Sequence, residues 1–212
     1  MGPERVAVEP VTLRTSDGLA LEAELQAPRE PWAAAVLAHP HPEYGGDMRS
    51  IVPGALFAAL PDSGVAALRF NFRGVGRSEG SHGGGGPERA DVVAAVDALF
   101  AIAEGLPLVV IGWSFGADVS LAVGEERLAG WIAVAAPLRT TDLVAGADPR
   151  PKLLIVPEHD QFRPPDAARD VVAGWTNTRV EVVAGADHFL VGRTDRVVAL
   201  CVDELRAWSD PG

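Results

Sequence analysis

The chain has little cysteine and little positive charge, and each shortage excludes a class of function. A single cysteine, Cys201, cannot form an intrachain disulfide, so we expect a small buried apolar residue on the last helix. Lysine and arginine together number 18 against 29 acidic residues, which gives a formal net charge of −11. A surface this acidic repels phosphate backbones, so we expect no nucleic-acid partner.

The chain also lacks long apolar segments. No window approaches the roughly 18 uncharged apolar residues that a transmembrane helix requires, and the opening MGPERVAVEP holds no apolar core of a signal peptide. We therefore expect no membrane association and a cytoplasmic, reducing environment. The 212 residues suit one globular domain, which we place at residues 1–212, and the sequence leaves open whether that domain forms a homodimer.

Short runs that are apolar throughout recur along the chain and are typical of strands buried on both faces. These runs lie at 33–39, 65–72, 106–113, 130–136, 152–158 and 179–185. Helix-like stretches alternate with them, at about 50–60, 87–104, 115–127, 164–175 and 193–208. The alternation predicts the α/β class, with a mainly parallel sheet covered by helices on both faces.

Three further segments refine this architecture. VAVEPVTLRT and LALEAELQAP alternate and are joined by SDG, which predicts an antiparallel hairpin at one edge of the sheet. The glycine-rich stretch SEGSHGGGGPE predicts a loop, without indicating its role. The segment between the runs at 130–136 and 152–158 is too short for a lid domain, so we expect none.

The stretch GWSFG at 112–116 matches the G-x-S-x-G nucleophile elbow. An apolar, β-branched run ends there and a helix-favouring run begins, so Ser114 lies at a sharp strand-to-helix turn. Gly112 and Gly116 keep side chains out of that turn, and the helix start presents free amides to a developing negative charge. A plain glycine-rich turn would explain the glycines, but this strand-to-helix context favours a nucleophile.

A serine nucleophile needs a base, and in this architecture an acid and then a histidine follow it along the chain. The run KLLIVPEHD ends at Asp160, and the run RVEVVAGADHF reaches His188 near its end. We predict that His188 accepts the Ser114 proton while Asp160 orients the imidazole and stabilises its charged form.

Three other acids, Glu158, Asp166 and Asp187, compete with Asp160 for this role. Asp187 would have to fold back on the adjacent histidine, which is poor geometry, so we favour Asp160. We expect His159 to support the loop rather than to react.

A tetrahedral intermediate needs two backbone N–H donors, each worth about 3 kcal/mol of the barrier. One donor should be the residue after the nucleophile, Phe115. The other should come from the loop AHPHPEYGGDM after the third strand. Pro40 and Pro42 have no N–H, so only His41 can donate between them. We predict the His41 amide as the second donor, on a loop that the prolines stiffen.

Two points about this loop remain open. The amides of Glu43 and Tyr44 are alternative second donors. The side chains of His39 and His41 resemble metal ligands at i and i+2, but no cysteine, histidine or aspartate cluster accompanies them in sequence. We therefore expect them to hold the loop by packing and hydrogen bonding, and we expect no metal.

Two other motifs are rejected on position. HGGGG at 82–86 resembles the oxyanion motif of some lipases, but it follows the fourth strand rather than the third, so we expect it not to reach Ser114 correctly. RGVGRSEG at 73–80 suggests a dinucleotide loop. Its glycines miss the G-x-G-x-x-G spacing and no helix follows directly, so a dinucleotide-binding dehydrogenase is a poor fit.

The motifs GWSFGA, EHD and ADHF, with FNFRGVGRSEG and AHPHPEYGGDM upstream, resemble the α/β-hydrolase superfamily over nearly the whole chain. More narrowly, the HPHP-x-x-GG loop with NFRGVGRSEG is similar to small, lidless bacterial hydrolases related to dienelactone hydrolases. The resemblance implies an eight-stranded sheet with an antiparallel second strand, a Ser114–Asp160–His188 triad and no cofactor. The elbow carries serine instead of the cysteine of true dienelactone hydrolases, which argues against a dienelactone substrate.

We therefore expect a serine hydrolase that cleaves small or short-chain esters or thioesters through an acyl-enzyme on Ser114. Aromatic residues next to these positions in sequence line an acyl pocket or pack in the core: Tyr44, Trp113, Phe115, Phe162 and Phe189. The alternatives are a lactone hydrolase, perhydrolase or lyase on the same scaffold, and a non-catalytic binding module.

Overall fold

The computed structural model describes residues 6–140 and 142–209. Its strands are β1 Glu9–Arg14, β2 Ala20–Gln26, β3 Ala33–Ala38, β4 Val65–Phe70, β5 Leu108–Trp113, β6 Leu128–Val134, β7 Lys152–Pro157 and β8 Thr178–Val183. In the described part of the chain they form one eight-stranded sheet in the order β1-β2-β4-β3-β5-β6-β7-β8. The expected domain of 1–212 and the opening segment expected to lack a signal peptide both extend outside the described residues.

The sheet is mainly parallel. β2 pairs antiparallel with both β1 and β4, and the other neighbours pair parallel. The hairpin of β1 and β2 lies at one edge. These features confirm the predicted α/β class, the edge hairpin and the antiparallel second strand.

The α-helices of the described residues are α1 Ile51–Ala59, α2 Glu88–Phe100, α3 Phe115–Leu121, α4 Pro165–Val172 and α5 Thr194–Ser209. α1 and α5 contribute to the core on one face of the sheet, and α2, α3 and α4 contribute to the core on the other. Successive residues of a central strand therefore both find apolar partners: Val36 packs in one core and Leu37 in the other. This is why the central strands are largely apolar, whereas β1 and β2 of the edge hairpin alternate.

The structure ends α3 earlier than the predicted 115–127. Gly124 disfavours helix beyond this point, and the Val123 carbonyl accepts a hydrogen bond from the Trp131 indole at 3.2 Å. That tertiary bond satisfies a carbonyl that a longer helix would have used itself.

α2 buries the face that its sequence predicts. Val92, Val96 and Leu99 are fully buried, and Val93 and Phe100 are partly buried against the same core. The segment between β6 and β7 holds only a short 3₁₀ turn, Val144–Ala147, and no lid is present in its described residues.

Two smaller expectations can be compared with this fold. Cys201 lies buried on α5 as predicted, and burial raises the pKa of its thiol. Within the ranges that the structure covers, none of the helices has the combination of length and apolar character needed to span a bilayer.

Candidate active site

The parallel strands end at the same edge of the sheet, and three polar side chains follow them there. Ser114 comes directly after β5, Asp160 lies in the loop after β7, and His188 lies in the loop after β8. Because carboxyl ends of parallel strands coincide, loops that are distant in sequence meet at this edge.

Ser114 occupies a strained turn between β5 and α3. Its φ is 53° and its ψ is −117°, a conformation that non-glycine residues rarely adopt. A Cβ on Gly112 would lie 2.4 Å from the Gly116 carbonyl oxygen, and a Cβ on Gly116 would lie 2.5 Å from the carbonyl oxygens of Ala38 and His39. Both glycines of the motif are therefore required by close backbone approach.

The structure brings Ser114, His188 and Asp160 together. Ser114 Oγ lies 2.9 Å from His188 Nε2, and His188 Nδ1 lies 2.8 Å from Asp160 Oδ2. Since Nδ1 faces a carboxylate, it carries the ring proton, and Nε2 accepts the hydrogen bond from the serine hydroxyl. The imidazole and the carboxylate are buried, while Ser114 is partly exposed.

The Asp160 carboxylate is fixed on both oxygens. Oδ2 faces the imidazole, and Oδ1 accepts hydrogen bonds from the amides of Phe162 at 2.8 Å and Arg163 at 3.1 Å. The amide of the neighbouring His159 donates to the Ala186 carbonyl at 2.8 Å, which ties the loop of the acid to the loop of the histidine. The His159 side chain itself is exposed.

The competing acids lie elsewhere or are already engaged. Glu158 accepts the amide of Gly185 at 2.6 Å. Asp187 accepts the amide of Phe189 at 3.0 Å. Asp166 is exposed on α4. The structure places Asp160 alone of the four acids in contact with the imidazole.

Aromatic residues pack around the imidazole. The rings of Phe162 and Phe189 lie 4.5 and 5.8 Å from the His188 ring, centroid to centroid. The Trp113 indole donates to the His188 carbonyl at 3.4 Å. These residues orient the imidazole and shield it from water, a contribution that their position in the sequence did not indicate. Tyr44 is 88% exposed at the cavity mouth.

The expected oxyanion donors and the alternative donors differ in whether their backbone amides already have a hydrogen-bond acceptor. The Tyr44 amide donates to the His41 carbonyl at 3.1 Å, and the Glu43 amide donates to His41 Nδ1 at 3.3 Å. Among the described residues, the amides of His41 and Phe115 have no acceptor. These two amides are therefore available to a ligand, whereas the amides of Glu43 and Tyr44 already donate hydrogen bonds within the loop.

The loop after β3 is held by a buried histidine. His39 is fully buried, its Nε2 accepts the Phe72 amide at 3.0 Å, and its Nδ1 donates to the Pro40 carbonyl at 2.6 Å. Burial lowers the pKa of His39 to about 4, so the ring is neutral near pH 7. A Cβ on Gly46 would lie 2.2 Å from the Pro40 carbonyl oxygen, so the loop closes tightly on itself.

One set of side chains near the site could hold a metal ion. His41, Glu43 and His82 can place two imidazole nitrogens and a carboxylate oxygen within 4.8 Å of one another. Burial and the nearby His82 lower the pKa of His41. The sequence did not indicate this group, because the fold brings in His82 from a distant loop. His39 is not part of this group.

Ser114 and His188 open into a cavity of about 990 Å³. The expected pocket residues all line it: Tyr44, Trp113, Phe115, Phe162 and Phe189. A volume of this size accommodates a drug-sized ligand. It is large enough to hold an acyl chain and a leaving group together.

The glycine-rich loop lies closer to the site than we expected. Residues 84–86 line the same cavity as Ser114. The buried carboxylate of Glu88 folds the loop back by accepting the amides of Gly83 at 2.6 Å and Gly85 at 2.7 Å. Its position after the fourth strand did not predict this, because the return depends on a side chain at the start of α2.

The loop after β3 forms one wall of the cavity, which we call the first wall. A second wall was not predicted. It combines Arg89 of α2 with Arg139 of the loop after β6. The buried Asp118 carboxylate anchors this loop by accepting the amides of Leu138 at 2.9 Å and Arg139 at 3.0 Å, and burial raises the pKa of Asp118. The position of Arg139 after a buried strand was an available signal, since the same reasoning located Asp160.

The comparisons with known proteins agree with this fold. A serine hydrolase homologue from Coxiella burnetii is 29% identical and superposes with a TM-score of 0.84, over 93% of this chain and 97% of the other. XC6422 from Xanthomonas campestris, a serine hydrolase without a lid, is 26% identical with a TM-score of 0.85, over 97% and 96% of the two chains.

Sequence comparison adds less about activity. The uncharacterized protein RP471 of Rickettsia prowazekii is 29% identical over 82% of this chain and 77% of its own length. No protein-family model matches the chain. The chain has the lidless α/β-hydrolase fold that its motifs resemble, and its structural neighbours support a hydrolase.

Proposed function

We propose that the protein is a serine hydrolase that cleaves carboxylic esters or thioesters through an acyl-enzyme on Ser114. The observation that carries this proposal is the continuous pair of hydrogen bonds from Ser114 Oγ through the His188 ring to Asp160, at 2.9 and 2.8 Å. Such a pair is the arrangement that activates a serine, which is otherwise a weak nucleophile.

In the proposed reaction, Ser114 Oγ attacks the acyl carbon while His188 Nε2 takes its proton. Asp160 stabilises the imidazolium that forms. The imidazolium then protonates the leaving alcohol or thiol, and the acyl group stays on the serine. Water then attacks the acyl carbon while His188 Nε2 takes a proton from it. The bond between the acyl carbon and Ser114 Oγ breaks, the acid product leaves, and the imidazolium returns a proton to Ser114.

The negative charge on the tetrahedral intermediate needs donors that are already in place. We assign this role to the amides of Phe115 and His41, which have no acceptor among the described residues. Each such donor contributes about 3 kcal/mol to lowering the barrier. The prolines on both sides of His41 and the buried His39 hold the second donor in position before substrate arrives.

Labelling with a fluorophosphonate probe tests the nucleophile. The wild-type protein should be labelled, and Ser114→Ala should lose both labelling and about 10⁵-fold or more of its p-nitrophenyl butyrate hydrolysis. Ser63→Ala, at a serine that ends a turn outside the cavity, is the matched control and should behave as wild type. A wild-type protein without labelling or hydrolysis would favour a non-catalytic binding module.

A substrate panel then tests the reaction class. We expect activity on p-nitrophenyl esters and acyl-CoA thioesters of graded length, highest among the short acyl chains. Asp160→Asn should lower kcat by about 10⁴-fold, because the imidazole loses its orientation and its counter-charge. Turnover of lactones alone, with no ester or thioester cleavage, would contradict the proposed substrate class.

A further inference from the structure

The second wall of the cavity holds two guanidinium groups without a hydrogen-bond acceptor among the described residues. They belong to Arg89, in the first turn of α2, and to Arg139, in the loop after β6. The guanidinium of Arg163, beside the same loop, shows the contrast, because it donates to the Pro137 carbonyl at 2.8 Å. The two groups that face the cavity are therefore available to a ligand.

Arg89 carries the clearest sign of a missing acceptor. Its Nε is buried and has no hydrogen-bond partner within the ranges that the structure covers. Its Nη2 lies 3.6 Å from Asp142, too far for a hydrogen bond, and the Asp142 side chain is 71% exposed. Buried donors in folded proteins are nearly always paired with protein groups or ordered water, so the Arg89 side chain has an unmet need for an acceptor that the described residues do not supply.

Arg139 connects this wall to the catalytic residues. Its guanidinium lies 5.6 Å from the centre of the Phe162 ring, and that ring packs against His188. A ligand group bound to Arg139 would therefore lie on the same side of the cavity as the imidazole.

The charged side chains that line the cavity are more basic than acidic, in contrast to the whole protein. Among the described residues that line the cavity, Asp118 is the one carboxylate, and its two oxygens are occupied by the amides of Leu138 and Arg139. Two arginines thus face the cavity in a protein of net charge −11. A positive patch in an acidic surface attracts anions selectively.

We propose that Arg89 and Arg139 form an anion-binding subsite and that the substrate is an ester or thioester bearing a carboxylate or phosphate away from its scissile bond. This inference rests on the proposed serine hydrolase function and adds its substrate class. Guanidinium groups suit this role because their planar donors bind carboxylate and phosphate oxygens in pairs.

Matched esters test the subsite on the acyl side. Mono-p-nitrophenyl glutarate differs from p-nitrophenyl pentanoate mainly by a terminal carboxylate in place of a methyl group. We expect the wild type to prefer the glutarate in kcat/KM by about tenfold or more, which corresponds to about 1.4 kcal/mol. Arg89→Gln and Arg139→Gln should each remove most of this preference, because they lower kcat/KM for the glutarate about tenfold more than for the pentanoate.

The leaving-group side is tested with thioesters. Butyryl-CoA carries phosphates, and S-butyryl-N-acetylcysteamine is its uncharged truncated counterpart. A preference for the CoA ester that the same variants abolish would place the anion on the thiol side, whereas a preference confined to the glutarate would place it on the acyl side. Arg206→Gln, at an exposed position of α5, is the charge-matched control.

Asp142 provides a test in the opposite direction. Because Asp142 is the acid nearest Arg89, Asp142→Asn should increase the preference for the anionic ester. Two results would contradict the anion-binding subsite but not the proposed hydrolase function. In one, the pentanoate is hydrolysed but neither anionic substrate is preferred. In the other, the arginine variants slow charged and uncharged esters equally.

Binding to Ser114→Ala protein tests the subsite without turnover. Equilibrium dialysis should show the glutarate monoester binding about tenfold more tightly than the pentanoate, with the difference lost when Arg89→Gln or Arg139→Gln is added. Equal binding would overturn the inference even if the protein proved not to be a hydrolase.

Discussion

The two walls of the cavity use their polar groups in opposite ways. In the loop after β3, the side chain of His39 bonds the Phe72 amide and the Pro40 carbonyl, and the amides of Glu43 and Tyr44 bond within the loop. The second wall, formed by Arg89 and the loop after β6, leaves guanidinium groups at the cavity without a hydrogen-bond acceptor among the described residues.

We infer that the first wall sets the rate of the reaction and that the second wall sets the selectivity between substrates. A donor that stabilises a transition state must be held in place before the reaction. The loop around His41 bonds the amides of Glu43 and Tyr44 internally, and the His41 amide has no acceptor among the described residues. A group that selects a substrate must instead be unpaired until the substrate arrives. We therefore expect changes in the first wall to alter turnover on all substrates, and changes in the second wall to alter preference between substrates.

Among the variants that compare the two walls, Gly46→Ala should have the largest effect. It tests the rigidity of the first wall, the loop after β3. A Cβ there would lie 2.2 Å from the Pro40 carbonyl oxygen and 2.7 Å from that of His41, so the loop must move. Displacing the His41 amide should lower kcat by about 10²- to 10³-fold on charged and uncharged esters alike. Steady-state kinetics on the pentanoate and glutarate esters measures this.

Gly174→Ala is the control for this variant, because nothing lies within 4 Å of a Cβ at that position. It should retain wild-type kinetics. A Gly46→Ala protein with normal kcat would show that the loop need not be fixed, and the comparison between the walls would fail.

The pH dependence of stability tests His39. Burial lowers its pKa to about 4 in the folded protein. The unfolded chain therefore binds the proton more readily, so the stabilisation is present above the unfolded pKa and is lost as the pH falls toward 4. The loss should reach about 3 kcal/mol between pH 7 and pH 4.

His39→Gln isolates this contribution, because glutamine can donate and accept but does not titrate. Urea unfolding of both proteins across that pH range gives the difference, and acids such as Asp148, whose pKa Arg150 lowers, titrate alike in both. A difference in unfolding free energy that stays constant with pH would rule out a neutral buried imidazole as the support of the loop.

Arg163→Met should have the smallest effect and tests the second wall. Arg163 donates to the Pro137 carbonyl, so its loss loosens the loop that carries Arg139. The unfolding free energy should fall by about 1 kcal/mol. The glutarate-to-pentanoate preference should fall by about threefold with pentanoate turnover nearly unchanged. An equal loss on both esters would mean that this wall also serves catalysis.

Much of the fold follows from local pattern. Runs such as 152–158 lack the alternation of a half-buried strand, and the structure buries every residue of β7 between two layers of helix. The predicted end of α3 was too late, because Gly124 disfavours helix there and the Val123 carbonyl accepts a tertiary bond from Trp131. Local propensity contains no information about a partner that arrives from another strand.

The candidate site also has parts that the sequence predicts and parts that depend on tertiary contacts. The elbow around Ser114 is a local turn, so its glycines and its strand-to-helix context identify it directly. Asp160 and His188 could be predicted because a parallel sheet collects its strand ends at one edge. Glu88 folds the glycine-rich loop back toward the site, and Arg89 reaches the cavity from α2; no motif records either approach.

The sequence by itself determined the layered sheet, the strained serine and the order of its partners, since each depends on residues adjacent in the chain or on the rule that parallel strands end together. The tertiary structure decided which amides remain free and which arginines remain unpaired. That outcome depends on hydrogen bonds between distant segments, and an unpaired group can be recognised only after every neighbouring donor and acceptor has found its partner.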